Sequence, residues 1–373
     1  MPSRRATLRS GGAALAALAG CSYSSGPDAG LSADRVRWRA ELDEPPVGLF
    51  RAGDLLLAPS RFVARGLSLA DGSEAWRRQV DEPTMDGPRR YGRAAAAGAE
   101  HLYLAGRQGV LALGAADGAL SWAPPGTEDV TRGPGGAKAL SAAGGRVLAA
   151  TPDAVVALDG ATGAERWRAP LDAPDDLPAL AATESEVAVT ARASPTVRLL
   201  DAATGAERWT ASVPAVESGS EVRPPAVADD TVYVATGRPR TERGSLRALA
   251  RADGAERWRA QTDRVGRGTG PAVGPSRVYV GCDGTETGTL VCHGRGDGSR
   301  LWTVPGADDG VSAPAATARG AYVGGNGDRL RAVAPDGSVR WVVGAGVPVS
   351  GPPLVAAGAV HASALDTVFA AAA

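Results

Sequence analysis

Two stretches of this chain are nearly identical: DGATGAERW at residues 159–167 and DAATGAERW at residues 201–209. In both, a glycine lies four residues before a tryptophan, and it supplies the positive φ that a tight hairpin turn needs. An alternating run, Val155–Leu158 in the first copy, precedes the turn. A short strand follows it, with tryptophan on one face and charge on the other. Each stretch therefore predicts a β-hairpin.

The hairpin is part of a unit that recurs along the whole chain. A further pair of strand-like runs lies upstream, as at Pro225–Ala228 and Thr231–Ala235, so one unit holds four short strands. Such a unit has the content of a propeller blade, and blades must stack face to face to bury their sheets. Every tryptophan of the protein belongs to the series: Trp38, Trp76, Trp122, Trp167, Trp209, Trp258, Trp302 and Trp341. Seven of them have the glycine: Gly72, Gly118, Gly163, Gly205, Gly254, Gly298 and Gly337.

The two ends of the chain complement each other. Trp38 lacks the upstream strands and has Asp34 in place of the glycine, whereas the runs at 353–356, 360–363 and 367–370 have no tryptophan after them. The sequence therefore predicts an all-β, eight-bladed β-propeller in which the N-terminal strand becomes the outer strand of the last blade. Such a closure removes exposed sheet edges. Seven blades with a stray N-terminal strand is the alternative.

Composition agrees with this fold and excludes others. The 373 residues include 50 Gly and 27 Pro, which break helices and exclude a long helical bundle. A hydrophobic fraction of 44% is enough to build a core. The net charge of -1 excludes a protein that binds nucleic acid through bulk charge.

The N-terminus has the features of an export signal. Residues 1–20 contain three arginines and then an apolar run too short to cross a bilayer. The run ends in LAGC at 18–21, which resembles the lipobox of bacterial lipoproteins and implies lipid modification of Cys21. Residues 3–9 resemble a twin-arginine signal, but Thr7 replaces the usual aromatic residue, so the export route stays open.

These features predict three parts: a signal peptide at 1–20, a flexible tether at 21–34 and a propeller at 35–373. We expect a monomeric propeller that is exported and held by its lipid on the outer face of the cytoplasmic membrane, or in the periplasm.

The remaining cysteines, Cys282 and Cys292, allow two interpretations. An even pair in an oxidising compartment can form a disulfide, and these two flank a glycine-rich turn between strand-like runs. They could therefore face each other across a hairpin. The alternative is two small buried thiols, because alanine fills the position of Cys292 in other repeats.

The pattern Ala-x-Asp-x-x-Thr-Gly-x-x-x-Trp, intact at residues 157–167, resembles the tryptophan-docking motif of PQQ-type (pyrroloquinoline quinone) β-propeller repeats. Other copies depart from it, with Leu199 for the alanine and Ala250 or Gly294 for the aspartate. The resemblance covers residues 35–373. It implies that each tryptophan stacks on the neighbouring blade near its glycine, so we expect all eight to be structural.

That family contains dehydrogenases and noncatalytic propellers. The resemblance implies that a dehydrogenase would use a carboxylate base, Ca²⁺ and often a disulfide between adjacent cysteines, yet no two cysteines here are adjacent. The aspartate pairs at 175–176, 229–230 and 308–309 have the sequence context of turns. His101, His293 and His361 lie in different repeats without metal-ligand spacing. We expect no catalysis, cofactor or metal; a quinone-dependent oxidoreductase is the alternative.

A noncatalytic propeller usually binds a partner, and two loops predicted on one face are candidates. Arg61, Phe62 and Arg65 belong to one, and Arg238, Arg240 and Arg243 belong to the other. Arginine and aromatic residues are favoured at protein interfaces. The alternative is that these loops are only solvated. The noncatalytic branch resembles the propeller lipoprotein subunit of the outer-membrane β-barrel assembly machine. This resemblance supports the architecture and the lipid anchor but does not transfer that subunit's role. We expect a scaffold or ligand-sensing lipoprotein of the cell envelope.

Overall fold

A computed structural model describes residues 33–80, 94–106, 109–123, 137–171, 178–214, 220–237, 243–263, 265–266, 270–283, 288–305, 311–325 and 327–373. Cys21, the expected signal peptide and most of the expected tether lie outside these residues, as do Arg238, Arg240 and the aspartates at 175–176 and 308–309. The described residues form 33 strands and one 3-10 turn, Ala33–Arg35, without an α-helix. Among them no helix is long and apolar enough to cross a bilayer.

The first half of the chain forms one lone strand and then four sheets of four strands. The lone strand is β1 (Val36–Glu41). Blade 1 comprises β2 (Phe50–Ala52), β3 (Leu55–Leu57), β4 (Val63–Ser68) and β5 (Glu74–Gln79). Blade 2 comprises β6 (Ala94–Ala97), β7 (His101–Ala105), β8 (Val110–Gly114) and β9 (Leu120–Trp122). Blade 3 comprises β10 (Ala139–Ala143), β11 (Arg146–Ala150), β12 (Ala154–Asp159) and β13 (Glu165–Pro170). Blade 4 comprises β14 (Pro178–Ala182), β15 (Glu186–Ala191), β16 (Thr196–Asp201) and β17 (Glu207–Ser212).

The second half repeats this order, and its last sheet takes β1 as its outer strand. Blade 5 comprises β18 (Glu221–Val222), β19 (Ala226–Ala228), β20 (Thr231–Gly237), β21 (Gly244–Ala250) and β22 (Glu256–Thr262). Blade 6 comprises β23 (Ala272–Val273), β24 (Arg277–Cys282), β25 (Thr289–Gly294) and β26 (Arg300–Pro305). Blade 7 comprises β27 (Ala315–Thr317), β28 (Gly320–Val323), β29 (Arg329–Val333) and β30 (Val339–Gly344). Blade 8 comprises β31 (Val349–Ala356), β32 (Ala359–Ala364), β33 (Thr367–Ala372) and β1.

The blades close into a ring. Their first strands contact one another in the order β2, β6, β10, β14, β19, β23, β27, β31 and back to β2, so these strands line the centre. In blade 8, β1 pairs antiparallel with β33, and Trp38 lies opposite Ala370. The predicted eight-bladed propeller and its closure by the N-terminal strand are confirmed, and the seven-bladed alternative is wrong.

The repeated turn has the conformation that its sequence requires. Asp159 Oδ1 accepts hydrogen bonds from the backbone N–H groups of Ala161 and Thr162 and from the Thr162 hydroxyl, at 2.9–3.0 Å. Gly163 follows with φ of 73°. Asp201 makes the same three contacts in the next blade. This aspartate fixes the turn, and the glycine reverses the chain into the fourth strand.

The core lies between blades rather than within one of them. Eight clusters of buried side chains occur, and each combines residues of two neighbouring blades. One cluster, for example, joins Val155 and Trp167 of blade 3 to Val187 and Leu200 of blade 4. Since one blade cannot bury both faces alone, the stability of each sheet depends on its neighbours.

Candidate functional site

At seven of the eight junctions between blades, a tryptophan makes the same contact with the next blade. The indole Nε1 donates to a backbone carbonyl of the next blade over 2.8–3.2 Å. The ring lies against a glycine whose φ is 68–92°, and a Cβ there would be 2.4–2.9 Å from an indole carbon. Both the backbone conformation and the close approach therefore require glycine. The pairs are Trp38 on Gly72, Trp76 on Gly118, Trp122 on Gly163, Trp167 on Gly205, Trp209 on Gly254, Trp258 on Gly298 and Trp302 on Gly337.

Trp341 makes the eighth junction, between blades 7 and 8, in a different way. Residue 34, where the repeat would place glycine, is an aspartate in the 3-10 turn before β1. The guanidinium carbon of Arg35 lies 5.8 Å from the centroid of the Trp341 ring, within the range of a cation–π contact. The buried Nε1 of Trp341 has no hydrogen-bond partner among the described residues.

In five blades a second ring packs against the tryptophan of the same blade, with centroids 5.6–6.1 Å apart. Four of these rings are tyrosines: Tyr103 on β7, Tyr233 on β20, Tyr279 on β24 and Tyr322 on β28. His361 takes the same position in blade 8, beside Trp38. It is fully buried, its Nδ1 lies 3.3 Å from the carbonyl oxygen of Leu354, and burial lowers its pKa. Its environment indicates a neutral core histidine rather than a metal ligand.

Arginines form another repeated contact between blades, which the sequence did not reveal. Arg198, Arg247 and Arg331 lie on β16 of blade 4, β21 of blade 5 and β29 of blade 7. Their guanidinium groups donate to carbonyl oxygens at the end of the preceding blade, those of Pro170, Pro214 and Pro305, over 2.7, 2.6 and 3.3 Å. In the sequence these arginines share one feature, a position ten or eleven residues before the tryptophan of their blade, and this spacing could have identified them.

Arg65 belongs to this set, which corrects its expected role in a partner-binding loop. It is buried, donates to the Glu41 carbonyl over 3.4 Å, and pairs with Asp43 and Glu74. The reason is local: β4 begins at Val63, so Arg65 lies in a strand and not in the loop. Its guanidinium fixes the connection between blades 8 and 1.

Of the other predicted binding residues, Arg61, Phe62 and Arg243 lie on the same face of the ring in two different blades. Arg61 and Phe62 occupy the connection between the second and third strands of blade 1, and the guanidinium carbon of Arg61 lies 5.4 Å from the Phe62 centroid. Arg243 is exposed in the equivalent connection of blade 5. Arg238 and Arg240 lie outside the described residues. Blades 1 and 5 stand on opposite sides of the ring, so Arg243 does not share a compact site with Arg61 and Phe62.

Of the two interpretations of Cys282 and Cys292, the structure shows buried thiols and not a disulfide. Cys282 and Cys292 are both free and buried. Cys292 lies opposite Tyr279, three residues before Cys282, so the two side chains point to opposite faces of the sheet. Cys282 packs towards blade 5 and Cys292 towards blade 7, and burial raises the pKa of each to about 12. The disulfide considered from the sequence does not form.

Acidic, histidine and cysteine side chains are not clustered in the described part of the chain. No three His, Cys, Asp or Glu side chains lie close enough there to hold a metal ion. Asp230, in the turn between β19 and β20, is paired with Arg257 over 2.7 Å, which with Thr231 lowers its pKa to about 2. A carboxylate engaged by a guanidinium is not a free ligand.

The face of the ring opposite the arginine loops carries a polar depression of about 380 Å³ between blades 5 and 6. Its walls include Asp229, Asp230, Arg257 and Arg295. These charges pair with each other, Asp229 with Arg295 and Asp230 with Arg257, and Arg295 also donates to the Tyr233 hydroxyl over 3.1 Å. The contacts of Arg295 join blade 6 to blade 5, whereas the Asp230–Arg257 pair lies within blade 5.

Comparison with known proteins places the chain in a family. The family model described as outer membrane protein assembly factor BamB matches residues 107–241, 193–279 and 242–373. The chain belongs to this family of PQQ-like β-propellers. A search of curated protein sequences finds no match.

Solved structures show where else this PQQ-like propeller occurs. BamB from Moraxella catarrhalis has a TM-score of 0.69 at 19% identity, covering 90% of this chain and 98% of its own. The computationally designed Ika8 protein has a TM-score of 0.69 at 15% identity, covering 91% of this chain and 100% of its own. Quinohemoprotein alcohol dehydrogenase ADHIIG from Pseudomonas putida HK5 has a TM-score of 0.63 at 13% identity, covering 90% of this chain and 76% of its own. A designed protein and an enzyme share the fold, so the fold alone does not decide between scaffold and catalyst.

Proposed function

We propose that this PQQ-like propeller is a noncatalytic scaffold, held to the cell envelope by a lipid on Cys21, which binds a protein partner through the face that carries Arg61, Phe62 and Arg243. The observation that carries the proposal is the match of residues 107–373 to the assembly-factor family. It is joined by the lipobox-like sequence before Cys21 and by the absence, within the described residues, of a cluster of metal ligands.

The direction of β1 supports this choice of face. Glu41 lies opposite Thr367, beside the turn that joins β32 to β33, while Val36 lies near Ala371 at the other end of the sheet. The described chain therefore begins, at Ala33, on the face opposite the arginine loops. We infer that a lipid anchor upstream of Ala33 would leave those loops facing away from the membrane surface.

Partner recovery from the native membrane tests the proposal. The tagged full chain is cross-linked in cells, and co-purified envelope proteins are quantified for wild type and for the triple variant Arg238→Ala, Arg240→Ala, Arg243→Ala. Arg78→Ala, Arg168→Ala, Arg259→Ala is the matched control, because these arginines are exposed on fourth strands. We expect a specific partner to fall about tenfold in the loop variant and to persist in the control.

Two further results would contradict the proposal. Equal recovery with all three proteins would exclude the arginine loop of blade 5 from partner binding. A Cys21→Ser chain that stays in the membrane fraction would contradict the lipid anchor.

Quinone-dependent oxidation is the second candidate, because quinohemoprotein alcohol dehydrogenases share the fold. The discriminating experiment adds pyrroloquinoline quinone and Ca²⁺ to the purified chain and records dye reduction with alcohols together with the thermal midpoint. A scaffold shows neither dye reduction nor a shift in the midpoint. Turnover above the rate of free quinone would establish the enzyme instead.

A further inference from the structure

Two neighbouring junctions on the face opposite the arginine loops use equivalent arginines in different ways. Between blades 4 and 5 the arginines are Arg208, which precedes the tryptophan of blade 4, and Arg251, in the turn between β21 and β22. One carboxylate oxygen of Glu186 pairs with Arg208 and the other with Arg251. Glu186 is only 4% exposed. A buried carboxylate therefore fills this junction.

The junction between blades 5 and 6 has the equivalent arginines but not the central carboxylate. Arg257 precedes the tryptophan of blade 5, and Arg295 lies in the turn between β25 and β26. Glu186 begins β15, whereas the residue that begins β20 is Thr231. The hydroxyl of Thr231 accepts a hydrogen bond from Arg257 over 3.0 Å. A shorter, neutral side chain thus replaces the carboxylate that joins the two arginines of the other junction.

The carboxylates of this second junction lie at its rim. Asp229 pairs with Arg295 and Asp230 pairs with Arg257, and the two aspartate side chains are 78% and 71% exposed. These four residues, together with Thr231, line the depression of about 380 Å³. Its volume is within the range of small-ligand clefts, about 300–1,000 Å³. The depression therefore has the size of a ligand site and balanced charges, with two aspartates against two arginines.

The depression also offers a hydrogen-bond donor that another blade uses internally. Tyr233 accepts a hydrogen bond from Arg295 Nε over 3.1 Å, and its own hydroxyl proton has no acceptor among the described residues. At the equivalent position of blade 2, Tyr103 donates its proton to the carbonyl oxygen of Gly160 over 3.2 Å. Trp258, which is half-buried, adds an aromatic wall to the depression.

Hydrogen bonds within the fold hold the walls in place. Arg251 donates to the carbonyl oxygen of Asp229 over 2.7 Å, and Arg295 donates to that of Pro275 over 3.2 Å. The indole Nε1 of Trp258 donates to the carbonyl oxygen of Arg295 over 3.0 Å. A site whose walls are already ordered loses little conformational freedom when a ligand binds.

The balance of charge decides which class of ligand fits. An anion would approach the exposed carboxylates of Asp229 and Asp230, and a cation would approach the guanidinium groups of Arg257 and Arg295, so each meets like charge. A hydroxyl group both donates and accepts hydrogen bonds, so it can bind carboxylates and guanidinium groups that are already paired. A ring that carries several hydroxyl groups and an apolar C–H face matches both the charges and the aromatic wall.

We propose that the depression between blades 5 and 6 binds a neutral sugar ring. The hydroxyl groups of the sugar bond to Asp229, Asp230, Arg295 and Tyr233, and its apolar face lies against Trp258. The site is on the opposite face from the arginine loops, so it does not depend on the proposed protein partner.

Saturation-transfer NMR on the purified chain tests the ligand class. The probes are glucose, galactose, mannose and N-acetylglucosamine, each compared with the uronate and the 2-amino sugar of the same ring configuration. We expect at least one neutral sugar to bind, and its charged derivatives to bind about tenfold more weakly. A linear trisaccharide of that sugar distinguishes the source: tighter binding than the monosaccharide indicates a glycan chain, and equal binding indicates a free sugar.

Two variants with matched controls test the location. Gly296 lines the depression, no atom beyond its chain neighbours lies within 4 Å of its Cβ position, and alanine occupies its place in blades 1 to 5. Gly296→Leu should therefore fill the depression and weaken sugar binding about tenfold, whereas Ala203→Leu, the same change in blade 4, should have little effect. Tyr233→Phe removes the free donor and should also weaken binding about tenfold, whereas Tyr103→Phe should not.

Thermal midpoints close to that of wild type show that the variants are folded, and Tyr233→Phe decides the matter if Gly296→Leu is not. Absence of saturation transfer from all four neutral sugars would overturn the inference. Tighter binding of a charged derivative, or unchanged affinity in either folded variant, would overturn it as well. Because the partner-recovery experiment changes only arginines elsewhere on the ring, its failure would reject the scaffold function and leave the sugar site standing.

Discussion

Seven junctions of the ring and the eighth solve the same packing problem with different chemistry. At the seven, the tryptophan donates a hydrogen bond to the next blade and lies on a glycine with positive φ. At the eighth, Trp341 is more deeply buried than most of the others, yet it meets Arg35 and donates to no described acceptor. The difference arises because the neighbour there is the N-terminal turn and not a hairpin.

The eighth junction shows which features of the repeated contact the fold requires and which it does not. A large apolar ring between blades occurs at all eight junctions, so burial is the common requirement. The hydrogen bond and the glycine are additions that a hairpin supplies. Changes at regular junctions should therefore cost more than the same changes at the closure.

The largest effect is expected from adding a methyl group at a regular junction. In Gly205→Ala the new Cβ would lie 2.5 Å from Trp167 and would also require a positive φ, so we expect a loss of about 3 kcal/mol in the free energy of unfolding. Gly145→Ala is the control, because Gly145 has φ of 71° with no atom near its Cβ position; its cost should be about 1 kcal/mol. Chemical denaturation measures both. Equal losses would show that the tryptophan moves aside freely.

A smaller difference is expected between two tryptophan variants. Trp167→Phe leaves the buried carbonyl of Ala202 without its 3.0 Å hydrogen bond, whereas Trp341→Phe removes a donor that has no described acceptor. We expect Trp167→Phe to lose about 1 kcal/mol more in the free energy of unfolding than Trp341→Phe. Paired denaturation curves check this. A larger loss at Trp341 would mean that the Arg35 contact outweighs the hydrogen bond.

The smallest effect near neutral pH concerns His361 in the closure blade. Burial lowers its pKa, so the unfolded chain binds a proton that the folded chain resists, and stability falls as pH drops below the ordinary histidine value of about 6.5. The hydrogen-bonded carboxylates of Asp159 and Asp201, with pKa about 2, act only at much lower pH.

We expect His361→Tyr, which restores the residue type of four other blades, to reduce the decrease in thermal midpoint between pH 7.5 and 5.5. The reverse change, Tyr279→His, should enlarge it. A pH dependence unaffected by either substitution would contradict this account.

Most of the architecture could be predicted because it repeats. Tryptophan and glycine recur at fixed spacing, and the missing glycine before Trp38 identified the strand that completes blade 8. The closure chemistry could not be predicted, since nothing in the sequence near Arg35 indicates that its guanidinium lies over a ring more than 300 residues away.

The candidate site was harder to predict because it depends on strand register. Arg65 is two residues inside β4, and that offset turns a loop arginine into a buried one. Cys282 and Cys292 are separated by an odd number of register positions, which the spacing along the chain does not reveal.

The pairing of β1 with β33 also governs when the ring can form. Every other sheet uses strands that are close in the chain, so seven blades can assemble before the last strand is available. Blade 8 waits for the last strand, because Trp38 must meet Ala370. Closing a loop of that length costs only about 2 kcal/mol more than closing one of 40 residues, yet contacts between distant residues form slowly. Until then the flank of blade 1 that packs against Trp38 lies open, which makes the interval before closure the time at which this chain is most exposed to proteases and to misassembly.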